Sequence, residues 1–216
     1  IIRRLAVSVN LEDAVEALRE YGDTALDALE RCLLDRTGES VVRMAVVEAL
    51  GRIGTRRAVR TLTEELEYGR GELDGRIIDV LDRLRAGHPD MPVPEAVAKR
   101  KTYALIKKFC RDFLDLQREG VGSEEAKARH DLARNLEATF AEIFKLLGLY
   151  YPQKDIRRAY QNITTGTRNS VAHAVEWLDN ALNKDLHDVI LPLVDDLTLQ
   201  EKTARFRKIL DDLADL

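Results

Sequence analysis

The sequence predicts an all-α protein built as a solenoid of paired helices. Three observations carry that prediction. Apolar residues recur at helical spacing along nearly the whole chain, and strand-like alternation bounded by turns is absent. The five prolines stand at breaks or ends of the periodic stretches. The first half also repeats itself. At an offset of 33, Ala25, Leu26, Leu29 and Leu33 fall on Ala58, Val59, Leu62 and Leu66; at an offset of 31, Val42, Val46, Ala49, Leu50 and Ile53 fall on Leu73, Ile77, Val80, Leu81 and Leu84. The first set belongs to the first helix of each pair and the second set to the second helix. A difference in loop length accounts for the two offsets. Helix pairs recurring at this interval bury their apolar stripes against neighbouring pairs.

Taken in order, helices are expected over 11–21, 23–36, 39–53, 55–68 and 72–86, then 94–119, 123–149, 153–164, 167–182, 184–195 and 198–214. Ser40 and Ser123 read as N-caps, and Glu124 and Glu125 place acids in a first turn where the helix dipole favours them. The run "ALGRIG" (49–54) raises the question of a phosphate- or RNA-clamping loop. A P-loop needs a preceding strand and a Lys-Ser/Thr pair, and an RNA-clamping GxxG needs strands around it; neither is present. Gly54 instead suits a left-handed C-cap, and Gly51 suits close packing of the next helix.

"AGHPDMPVPE" (86–95) interrupts the pattern with three prolines, and lysine first appears after it, at Lys99. This stretch is read as the junction between regular repeats over 1–90 and longer, less regular helical repeats over 91–216, the two packed as one continuous solenoid. On helix 94–119, Arg100, Lys107, Arg111 and Arg118, with Lys108 adjacent, form a basic ridge opposite Ile106, Phe109, Cys110 and Phe113. Leu132, Leu136, Phe140, Ile143, Phe144 and Leu147 form one apolar stripe, and Val171, Ala174, Val175, Leu178 and Leu182 another; both read as core. Asp179 and Asn180 read as a hydrogen-bonded clasp near a helix end, or else as a polar contact surface.

Composition narrows the function. With 45% hydrophobic and 33% charged residues the chain supports a sizeable core, and its net charge of −4 disfavours nucleic-acid binding. Cys32 and Cys110 lie far apart without a CxxC and read as reduced, buried thiols. No apolar run approaches the ~20 residues that span a bilayer, and the start, "IIRRLAVSVN", is too short and charged for a signal peptide. Lacking an initiator Met and opening inside an apolar pattern, the chain reads as a piece of a longer protein. His88, His130, His173 and His187 show neither an i,i+4 pair nor HExxH, and none of the four serines sits in GxSxG. No metal, cofactor or small-molecule substrate is therefore expected.

"RMAVVEALGRIGTRRAVRTLTEEL" resembles the short HEAT-like repeat, also seen in bilin lyases, over about residues 22–87. "IFKLLGLYYPQKDIRRAYQNI" (143–163) with "VAHAVEWLDNALNKDLHDVILPLVDD" (171–196) resembles a pattern in bacterial membrane proteins related to ATP/ADP-type nucleotide transporters, which carry a HEAT-like cytosolic region. His173 and Trp177 depart from that pattern, and the membrane part is missing, so no transport residues carry over. The resemblances imply a right-handed HEAT-like α-solenoid that acts as a non-catalytic protein-binding scaffold. They imply a cytoplasmic setting, tethered beneath the inner membrane within a longer chain. Second helices would line the concave face, where Arg43, Met44, Val47, Asp79 and Arg83 are the candidate contacts. The basic ridge offers a further weak contact to an anionic membrane surface. The alternative is an enzyme of bilin-lyase-like or DNA-glycosylase-like type, for which Trp177 lacks a basic groove in the sequence around it.

Overall fold

The computed structural model describes residues 16, 18, 22–69, 71–117 and 123–214. Among these the chain is all-helical. In order the helices are α1 (Gly22–Leu34), α2 (Ser40–Ile53), α3 (Arg56–Tyr68), α4 (Asp74–Gly87), α5 (Glu95–Leu116), α6 (Ser123–Tyr150), α7 (Gln153–Thr165), α8 (Arg168–Ala181), α9 (Lys184–Val194) and α10 (Leu199–Asp212). The expected helix at 11–21 lies outside the described residues, apart from helical Glu16 and Leu18.

The chain divides into two compact units, 1–98 and 99–216, so the division falls inside α5 rather than in the proline stretch. That stretch is instead fastened to the first unit. Arg85 donates from Nη1 to the Met91 carbonyl at 3.1 Å, and Met91 N–H donates to the His88 carbonyl.

In the first unit α1–α4 stack as two helix pairs. Each helix packs on the next, α1 packs on α3, and α2 packs on α4. This is the solenoid arrangement that the two offsets predict. All of the repeat-matched apolar residues are buried except Ile53, which is half-buried. Gly54 caps α2 at φ 64°, with its N–H on the Leu50 carbonyl. A Cβ on Gly51 would lie 2.4 Å from Val80 Cγ1, so only glycine lets α4 approach α2 this closely. Ser40 is not a cap. The residue before α2 is Glu39, which caps through its backbone carbonyl, and Ser40 is already helical.

Arg43 is the exception in this apolar interior. Only 5% exposed, it donates from Nε to the Leu33 carbonyl (3.1 Å), from Nη2 to Glu65 Oε1 (2.8 Å) and from Nη1 to Glu72 Oε2 (3.3 Å). Glu65 is itself 3% exposed.

In the second unit each helix from α6 to α10 packs on the next. The last helix also returns to α5. Phe206 meets Phe113 edge-on at 4.8 Å and Phe109 at 5.9 Å, and Phe109 continues through Phe140 and Phe144 to Tyr160. Thr167, Asn183 and Thr198 cap α8, α9 and α10, the last with a full capping box to Glu201. Pro192, expected at a helix end, sits inside α9. Cys110 is fully buried and its thiol is pushed up to about 12 by burial. Cys32 is half-buried rather than buried, and burial also raises its thiol.

Three substitutions test this packing by urea midpoint. Leu50→Ala is expected to destabilise by about 2–5 kcal/mol. Gly51→Ala is expected to cost about 1–3 kcal/mol through overpacking, part of it recovered when Val80→Ala is added. Arg43→Met is expected to cost about 3–5 kcal/mol by leaving Glu65 buried alone, and adding Glu65→Leu is expected to restore much of that.

Candidate interaction surfaces

The second helices α2 and α4 carry an open groove of about 370 Å³. Glu48, Gly51 and Arg52 line it from α2, and Val80, Arg83, Leu84 and Gly87 from α4, with His88 at its end. The close approach at Gly51 sets its width, and Gly87, whose Cβ would meet nothing within 4 Å, leaves its far end open. Glu48 is held from both sides. Arg83 donates to Oε2 at 2.7 Å, and Arg76 lies 3.2 Å from Oε1, near enough to attract but not aligned for a hydrogen bond. Glu48 is 16% exposed while Arg83 and Arg76 stay 57% and 46% exposed, so the carboxylate lies below a rim of guanidinium groups.

This geometry corrects part of the expected contact set. Val47 is fully buried and Arg43 nearly so, and neither offers a surface to a partner. The repeat held the signal for Val47: at the 31 offset its equivalent is Ile78, also apolar and also fully buried, the mark of a core position. Met44 and Asp79 are half-buried, and Arg83 is exposed in the groove. The same offset pairs Arg83 with Arg52, a repeated cation on successive second helices of which only Arg83 is among the expected contacts.

The basic ridge does not act as one face. Lys107 donates to the Leu213 carbonyl at 3.2 Å, at the end of α10. Lys108 turns the other way, donating to Asp112 (2.7 Å) and to Thr139 of α6 (3.1 Å). Arg100 and Arg111 are exposed, and Arg118 lies outside the described residues.

The Asp179–Asn180 pair is half a clasp. Asn180 donates to its own helix at the Glu176 carbonyl, whereas Asp179 Oδ1 lies 2.7 Å from His187 Nε2 on α9. The other nitrogen of His187 lies 2.9 Å from Asp188. Hydrogen bonds to Asp188 and Asp179 favour the imidazolium and raise the His187 pKa above its ordinary value. Among the described residues no group of three or more His, Cys, Asp or Glu side chains could hold a metal ion, and no helix is long and apolar enough to cross a membrane.

Residues 10–73 match the family model for HEAT repeats. No curated protein and no solved structure matches the chain. Over that stretch the chain resembles HEAT repeats, an architecture consistent with a helical-repeat scaffold or interaction module.

The His187 contacts give a pH dependence. A histidine whose folded pKa is raised adds stability that is present in full below its unfolded value, about 6.5, and is lost as pH rises through the folded value. Urea titrations of the protein and of His187→Gln are expected to differ most below about pH 6.5 and to converge at alkaline pH.

Proposed function

We propose that the chain, whose residues 10–73 resemble HEAT repeats, is a non-catalytic interaction module whose α2–α4 groove receives an acidic segment of a partner protein. The carrying observation is the repeated Arg52–Arg83 pair, joined by Arg76, around the single carboxylate of Glu48. An incoming carboxylate meets the exposed Arg83 and Arg76 guanidinium groups, already held by Glu48, which lowers the ordering cost of a fork-shaped contact. The non-catalytic reading is supported by the sequence, whose histidines and serines stand outside hydrolase and metal-site spacings. A cytosolic place beneath a transporter-like membrane protein is supported only by the likeness of 143–163 and 171–196 to that pattern. The ridge adds little to it, since Lys107 and Lys108 are engaged within the second unit.

A photo-crosslinking residue at position 83 is expected to capture a partner that the same residue at Arg60 does not. Arg52→Glu with Arg83→Glu is expected to weaken that partner's affinity by about tenfold or more, with a marked salt dependence. Identical adducts from both positions, or affinity indifferent to the charge reversal, would remove the groove from the account. Elemental analysis after chelator dialysis is expected to find no stoichiometric zinc or iron.

A further inference from the structure

In the second unit, α7 and α8 are joined by Gly166 and Thr167 alone and pack side by side. Between them runs a furrow of about 410 Å³. Its floor is Ala159 and Ala174, each 3% exposed, whose methyl groups let the helices approach and leave a trough above them. Asp155, Arg158 and Asn162 form one wall at spacings of three and four, which places them on one stripe of α7. His173 and Trp177 form the other wall, from α8.

None of these five side chains makes a hydrogen bond, ion pair or ring contact with another described residue. Elsewhere in the second unit Lys107, Lys108 and His187 are all engaged. Asp155 and Arg158 stand at i,i+3, a spacing at which opposite charges commonly pair, yet they stay apart. The guanidinium, the amide, the imidazole and the indole face are therefore all open to a ligand.

We propose that this furrow binds an extended acidic peptide segment of a partner protein, at a site separate from the α2–α4 groove. A partner carboxylate sits on Arg158. The apolar residue beside it packs on Trp177, and Asn162 bonds the partner's backbone. Lys154, exposed on the same helix, adds a further positive charge beside the furrow against the single Asp155 of α7. Asp155 lies one turn nearer the start of α7 and repels a carboxylate there, which fixes the direction of the bound chain. A small molecule fits less well. Such ligands are usually some 70–90% enclosed, whereas Asp155, Arg158 and His173 are exposed and the trough stays open along its length.

Trp177, the single tryptophan of the chain, reports on its own site. The test is selection from a displayed random-peptide library on the full 216-residue chain, with the enriched peptides titrated against Trp177 emission. Enrichment of Asp or Glu beside a bulky apolar residue is expected, together with a change in Trp177 emission on binding. Arg158→Glu is expected to weaken these peptides by about tenfold, whereas Arg52→Glu with Arg83→Glu leaves them unchanged. Enrichment without acidic residues, unaltered Trp177 emission, or equal binding by the Arg158→Glu chain overturns the site. Because Arg158 is exposed and unpaired, its replacement leaves the packing intact.

Discussion

A guanidinium cannot discard its charge when it is buried, so every buried arginine must be answered in place. Arg43 is answered from three directions: the last turn of α1 through Leu33, the body of α3 through Glu65, and the turn before α4 through Glu72. Each bond has a direction and a length, and together they fix where those three segments lie around α2. The leucines of the first unit supply the larger driving force, but apolar burial has no direction and tolerates a slipped helix. The ion pair is weak evidence for stability, because desolvating two charges offsets most of their attraction. Its effect is to hold α1, α3 and the turn before α4 in register with α2, although Glu65 Oε2 is left buried without a hydrogen bond.

The two units solve the packing problem differently. In the first, small and branched side chains at repeated positions let identical faces stack, with Gly51 allowing the tightest approach. In the second, a run of aromatic rings ties α5 and α6 to α7 and α10. Rings fill space that aliphatic repeats would leave between helices of unequal length. The α7–α8 furrow, by contrast, has the two alanines Ala159 and Ala174 as its floor. Both surfaces argued for above thus come from the smallest residues in the contacts, glycine in one case and alanine in the other.

Helix positions were legible because a stripe at 3.6-residue spacing is a direct consequence of burying one face. The offsets of 31 and 33 were legible for the same reason, repeated. Arg43 was not, because an arginine on an amphipathic helix reads as solvated unless its partners, 22 and 29 residues away, are known to fold over it. Ser40 misled because capping is decided by backbone conformation, and the extended residue turned out to be Glu39. Trp177 stood out as a lone aromatic, but its setting depends on α7 lying beside α8 with alanines between, which no single helix encodes. Lys107 and Lys108 shared a charge and a neighbourhood in sequence, yet the step of about 100° between adjacent helical residues directs them to different elements.

Each unit contains one thiol, Cys32 in the first and Cys110 in the second, and burial suppresses the thiolate of both. An alkylating reagent attacks the thiolate, so in the native state Cys110 is shielded chemically as well as sterically, and half-buried Cys32 less completely. Modification then has to wait for a local excursion that wets the site. Cys110, buried on α5, waits for the packing around it to part; Cys32, half-buried on α1, waits for less. The chain thus carries its own pair of clocks, and the ratio of their labelling rates, followed with denaturant, separates the loosening of the repeats from the opening of the aromatic bundle.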